Sequence, residues 1–312
     1  MNSSIVERRA RPAPGRAEAF ERFAALRRAD DARILPGAVS RFYAHEERSR
    51  IAVVLLHGFT NNPAQFDRLA PALHARGHSV IVPRLPGHGD RDRRGLRLRG
   101  VRAEAWLATT HEAIDIAAGV GSRVVVAGVS LGGALAAWTA VRRRDVDRAV
   151  AISPFLGVMR LMRLANVAVE RLLTLAPNVV VPWDPFGDGA LIPPSAYPAF
   201  PTRGLAESLR VGLEVVAGAH RFAPACGDLI LLTNARDPAV QNRLAEVSVR
   251  AWNARRPGSA GEYRFTDLPA NHDIVDPTNP MQRIDVVYPK VIEAIEGTGW
   301  TGIAEPRGTR RL

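Results

Sequence analysis

A hydroxyl is a weak nucleophile at neutral pH. It needs exposure, a nearby base, and donors for the negative charge that develops on a substrate oxygen. Gly128-Val129-Ser130-Leu131-Gly132 meets the first need. The run Arg123 to Ala127 leads in as a strand and Leu131 to Arg144 leads out with helical period, so Ser130 stands on a strand-to-helix turn. Its flanking glycines have no Cβ, and strand and helix can therefore pack closely around a seryl residue in an unfavourable backbone conformation. With 26 glycines in the chain, the five-residue pattern alone arises in roughly one such chain in ten. The competing reading of Ser130 is a plain helix N-cap.

The second need is met after the strand Ile51 to Leu56, by His57-Gly58-Phe59-Thr60-Asn61-Asn62. A small residue at 58 lets the backbone fold close to the nucleophile. The amides of Phe59 and of Leu131, at a helix start, are then the two oxyanion donors. His57, beside those donors, is poorly placed to act as base and is expected to brace the loop. Only His220 and His272 follow Ser130 in sequence. His272 lies in Pro269-Ala270-Asn271-His272-Asp273, just past the strand Glu262 to Thr266. Asp237 follows the strand Asp228 to Thr233; it is also a natural N-cap for a helix beginning at Pro238. Asp267, Asp273 and Asp276 are rival acids near His272.

The elements that must position these groups are short β-branched runs alternating with longer helical ones. That pattern is an α/β fold with a mainly parallel central sheet flanked by helices. Further strands are expected at His78 to Val82 and Arg148 to Ile152, with an antiparallel edge at Val39 to Ala44. Helices are expected at Pro63 to Arg76, Arg102 to Ala118, Leu131 to Arg144, Asp237 to Arg255 and Met281 to Glu296. Residues 154–225 exceed what a crossover needs and read as an inserted, mainly helical cap. They divide a core of residues 31–153 and 226–312 that follows an N-terminal extension, 1–30. In the cap, Phe155 to Leu175 has helical period, with Arg163, Asn166 and Glu170 near one face and Leu, Met and Val on the others. It reads either as a helix packed on the core or as a lid whose apolar face lines an acyl pocket through Phe155, Leu156 and Met159. Seven prolines between Pro177 and Pro201 predict an irregular connection.

Three motifs in this order, His57-Gly58-Phe59, Pro86-Gly87-His88-Gly89 and Gly128-Val129-Ser130-Leu131-Gly132-Gly133, resemble the α/β-hydrolase superfamily. Within it, the chain is most similar to the carboxylesterase and monoacylglycerol-lipase group. The resemblance implies a cofactor-free hydrolase of esters or thioesters. It implies His272 as base and Asp237 as acid beside the nucleophile Ser130, and a wall-shaping role for the His88 loop. Dehalogenases and epoxide hydrolases of this superfamily carry an aspartate at the elbow, so Ser130 argues against them. Thioesterase, acyltransferase, C–C bond hydrolase and haloperoxidase chemistries share the triad. A noncatalytic binding protein would have lost a triad member.

Composition bounds the rest. A chain of 312 residues, 46% hydrophobic, buries one large core with room for an inserted module. The net charge of +11 comes almost wholly from arginine, the one lysine being Lys290. Scattered arginines without a recognised nucleic-acid module exclude a phosphate track and leave weak attraction to anionic surfaces. Cys226 is the single cysteine; it allows neither an intrachain disulfide nor a metal set, so no metal is expected. With no apolar leader and no 18-residue apolar run, a cytoplasmic protein acting on a small acyl ester is expected.

Overall fold

The computed structural model describes residues 9–158, 161–184, 189 and 192–298. Its sheet is built from β1 (Arg41–Tyr43), β2 (Ser49–Leu56), β3 (Ser79–Val82), β4 (Gly121–Val129), β5 (Arg148–Ile152), β8 (Asp228–Asn234) and β9 (Ala260–Phe265). Two short strands outside it, β6 (Val180–Pro182) and β7 (Ala199–Pro201), form an antiparallel pair. The order across the main sheet is β1-β3-β2-β4-β5-β8-β9. Only β1 runs antiparallel, against β3.

Strands buried on both faces must be apolar throughout, and β2 shows why the sequence reads as an unbroken apolar run. Ala52, Val54 and Leu56 face one core layer, while Ile51, Val53 and Leu55 face the other. On the first face lie α1 (Arg16–Arg27), α3 (Ala103–Ala118), α4 (Leu131–Arg142), α6 (Thr202–Ala219) and α7 (Asn242–Arg255). On the second lie α2 (Leu69–Ala75) and α8 (Ile284–Glu296). This is the expected α/β architecture. The edge strand is shorter than the expected Val39 to Ala44. The expected helix Pro63 to Arg76 divides into a 3-10 turn, Pro63–Phe66, and α2. Among the described residues, no helix is long and apolar enough to cross a membrane.

Residues 154–225 connect β5 to β8 and carry α5 (Arg163–Leu175), the β6–β7 pair and α6. Helix α6 packs on α4 and contributes Val211, Val215 and Val216 to the core. Helix α5 starts later than the periodicity predicts and is turned over. Its buried residue is Asn166, which accepts from the Val158 amide and donates to the carbonyls of Leu161 and Met162. Leu164, Leu172 and Leu175 point outward. The Asn166 side chain thereby holds the turn that leads into the helix, where an unpaired buried peptide group costs about 1–3 kcal/mol.

The arginine excess has structural uses. Arg84 binds Asp30, Arg143 binds Asp115 and Asp145, and Arg210 binds Glu104 and Glu207. Arg22 ties α1 to Glu112 and Asp115 of α3.

Candidate active site

The site assembles at the carboxyl ends of the central strands, where such sheets place their ligand crevices. Ser130 follows β4 with φ 55° and ψ −113°. The backbone around it is close-packed. A Cβ on Gly132 would lie 1.9 Å from the Leu56 carbonyl oxygen, and one on Gly128 would lie 2.3 Å from that of Gly132. Thr60 (φ 67°) and Ser153 (φ 40°) are likewise left-handed, each just past the end of a strand neighbouring β4. Gly58 passes directly beside Ser130, its Cβ position 3.4 Å from the Ser130 Cβ.

Peptide planarity aims the Phe59 amide. Gly58 O and the Phe59 N–H belong to one trans peptide and point opposite ways. The Gly58 carbonyl accepts from the Asn61 amide at 3.2 Å and from His57 Nδ1 at 3.0 Å, so the Phe59 N–H is directed away from both. His57 Nε2 accepts from the Leu85 amide. Burial, reinforced by His88, holds the His57 imidazole well below its usual range and hence neutral. His57 thus braces the loop. His88 is buried against Trp106 and is pushed down to about 4, mainly by burial. The Leu131 amide is at the first turn of α4, where helical N–H groups have no intrahelical acceptor.

Asp237 and His272 meet across 35 residues. His272 Nδ1 donates to Asp237 Oδ2 at 2.8 Å. The other oxygen, Oδ1, accepts from the amides of Ala239 and Val240. The turn from 237 to 241 therefore replaces the first turn of the expected helix. Helix α7 begins at Asn242, capped by the Gln241 side chain. One carboxylate holds its own turn and orients the imidazole through Nδ1, an arrangement in which Nε2 would be the atom to exchange a proton. Burial lowers the His272 pKa, but the charges of Asp237 and Asp273 outweigh it, and the net shift is upward from the ordinary imidazole value. A histidine acting as general base works only when neutral, so with His272 in that role kcat/KM should rise with pH through this raised pKa. The acid limb is expected above pH 6.5, the ordinary imidazole value. A pH–rate profile with its half-maximum below that value would contradict the assignment.

Ser130, Phe59, His272 and Asp273 line one cavity of about 540 Å³. Its outer wall includes Phe155, Val158, Trp183, Tyr197 and Leu205; among the described residues no arginine or lysine lines it. Phe155 is where the sequence places it. Leu156 is not: it packs into the core beneath α6, because Gly212 lets that helix approach the 155–156 backbone. Met159 lies outside the described residues. His220, at the end of α6, is not on the cavity wall. The sequence did not single out Trp183, whose indole donates to Thr60 Oγ1 at 2.9 Å and ties the segment after β6 to the loop after β2. An aromatic isolated among prolines was its only signal.

A parallel sheet with a strained serine between strand and helix, a carboxylate two strands away and the histidine it holds three strands away, defines a class of α/β fold carrying nucleophile-elbow geometry. The family model described as the alpha/beta hydrolase family matches residues 53–292, and the chain belongs to that family. A thermostable monoacylglycerol lipase of Bacillus sp. is 32% identical over 120 residues, 38% of this chain and 46% of that protein. A pyrethroid hydrolase of Sphingobium wenxiniae is 37% identical over 93 residues, 30% of this chain and 31% of that one. The matches span less than half the length of these curated relatives. Among solved structures, one described under the lipolytic enzymes LipS and LipT superposes with a TM-score of 0.66 at 21% identity, covering 85% of this chain and 99% of that one. A soluble variant of the Saccharomyces cerevisiae monoglyceride lipase gives 0.65 at 14% identity, with coverage of 83% and 90%. These likenesses concern the fold.

Proposed function

We propose that this protein is a serine hydrolase of carboxylic esters, with Ser130, His272 and Asp237 as its triad. The observation that carries the reading is that His272, held by Asp237 at 2.8 Å, lines the same cavity as Ser130. Ser130 Oγ attacks the acyl carbon while His272 Nε2 takes its proton. The oxyanion lies between the amides of Phe59 and Leu131, and the alcohol leaves with the proton His272 returns. Water, activated by the same histidine, then releases the acid from Ser130. The wall of Phe155, Val158 and Leu205, free of basic side chains among the described residues, suits an uncharged acyl chain. Lipase and pyrethroid-hydrolase names among the relatives support an ester over the thioester, acyl-transfer or C–C variants of the triad. A cytoplasmic setting belongs to the same reading. Its support is that the single cysteine, Cys226, is a buried free thiol.

The test is labelling by a fluorophosphonate together with turnover of p-nitrophenyl esters of rising chain length. A folded protein that is neither labelled nor active would exclude serine catalysis. Asp237→Asn is expected to lower kcat about 10⁴-fold, since the amide cannot hold the imidazole in the productive tautomer. A loss smaller than tenfold would transfer the acid to another carboxylate.

A further inference from the structure

We propose that Gln65, Asn61 and Asp273 form a positioning clamp, which fastens the loop carrying the Phe59 amide to the loop carrying His272. The inference rests on the triad reading and adds residues outside it. Gln65 is 1% exposed and uses both ends of its amide: Oε1 accepts from the Gly58 N–H at 2.9 Å, and Nε2 donates to Asp273 Oδ2 at 2.7 Å. Asn61 does the same from the other side of the loop. Its Nδ2 donates to Asp273 Oδ2 at 2.9 Å and to Asp276 Oδ2 at 3.1 Å, while its Oδ1 accepts from the Asn62 amide.

These contacts join segments more than 200 residues apart. They do so at the position where the oxyanion donor and the base must keep their separation while charge builds up. Gln65 holds the nitrogen side of Gly58, and Asn61 and His57 hold its carbonyl. The peptide bearing the Phe59 N–H is thereby fixed relative to Asp273, whose chain neighbour is His272. Donors preorganised in this way lose less to rearrangement in the transition state.

A clamp that only filled space would not use a carboxylate beside a catalytic imidazole. Burial and the Asp276 charge push the Asp273 carboxyl up to about 6, and its charge adds to the upward shift of His272. The titratable groups facing Asp273 are His272 and Asp276 on its own segment and Tyr288 on α8. From the oxyanion side it meets the neutral Gln65 and Asn61.

Four full-length variants test the clamp: Gln65→Ala, Asp273→Ala, their double, and Asp273→Asn, which keeps an oxygen able to accept from Gln65 and Asn61. Each is assayed for kcat, KM, fluorophosphonate labelling rate and Tm on p-nitrophenyl butyrate, on the alkaline plateau and across pH. Both alanine variants should lose about tenfold or more in kcat and labelling rate, with KM within twofold. The double should be scarcely worse than either, because one linkage is cut twice. Asp273→Asn should retain most of the plateau rate and move the acid limb to lower pH. Folded alanine variants with parental kcat, or an Asp273→Asn variant as impaired as Asp273→Ala, would overturn the clamp. Should the Asp273 variants fail to fold, an undiminished kcat in Gln65→Ala overturns it alone. A labelled, active parent with unaffected variants defeats only the clamp; an unlabelled, inactive parent defeats the serine mechanism beneath it.

Discussion

Ser130→Ala is expected to give a folded protein whose kcat for p-nitrophenyl esters is about 10⁶-fold below that of the parent, with fluorophosphonate labelling abolished. The fold should survive because the Ser130 side chain makes no capping bond to α4, whose N-terminus is held by backbone contacts. Those contacts remain in the variant: the amide of residue 130 donates to the Ile152 carbonyl, and its own carbonyl accepts from Ala134 and Phe155. Alanine pays a similar penalty at φ 55°, so the Tm should stay within a few degrees. Residual turnover near the parental level in a purified Ser130→Ala protein would remove this residue as nucleophile.

Gly132→Ala should do the opposite, destroying the structure before the chemistry. The added methyl would stand 1.9 Å from the Leu56 carbonyl oxygen and 2.8 Å from that of His57, both in backbone that cannot rotate away. Overpacking typically costs 1–3 kcal/mol, and a clash with the central strand belongs at or beyond the top of that range, about 3 kcal/mol or more. A domain with 5–15 kcal/mol of total stability loses much of it in one step. The denaturant midpoint of the variant should fall sharply, or its soluble yield collapse. A soluble Gly132→Ala protein with the parental midpoint would show that strand and helix are less closely apposed.

The central strands were legible in the sequence because parallel strands buried on both faces must be written as apolar runs. The strand-to-helix turn at Ser130 was legible because close packing demands glycine at 128 and 132. What escaped detection did so for identifiable reasons. Helix α6 carries Gly204, Gly212 and Gly218, which weaken its helical signal. At Gly212 the lost propensity serves a close approach, a Cβ there falling 2.2 Å from the Phe155 carbonyl oxygen. The face of α5 was misjudged because periodicity reports an apolar stripe without saying which stripe turns inward. Asn166 decided that through backbone bonds that hydrophobicity does not register. The linkage of Gln65 and Asn61 to Asp273 was invisible for a different reason. Polar loop residues look alike in sequence whether they meet water or a partner more than 200 positions away.

Thr60, Ser130 and Ser153, the left-handed residues past β2, β4 and β5, have a consequence for how this protein can be changed. Non-glycine residues in such conformations cost about 1–3 kcal/mol each, so together they make one rim of the sheet its least relaxed part. Selection for heat tolerance alone would favour glycine or asparagine there. Those same replacements would loosen the oxyanion loop and the elbow. Durability and turnover therefore compete over the same three residues, and a more robust enzyme must be sought at the opposite rim, where the strands begin.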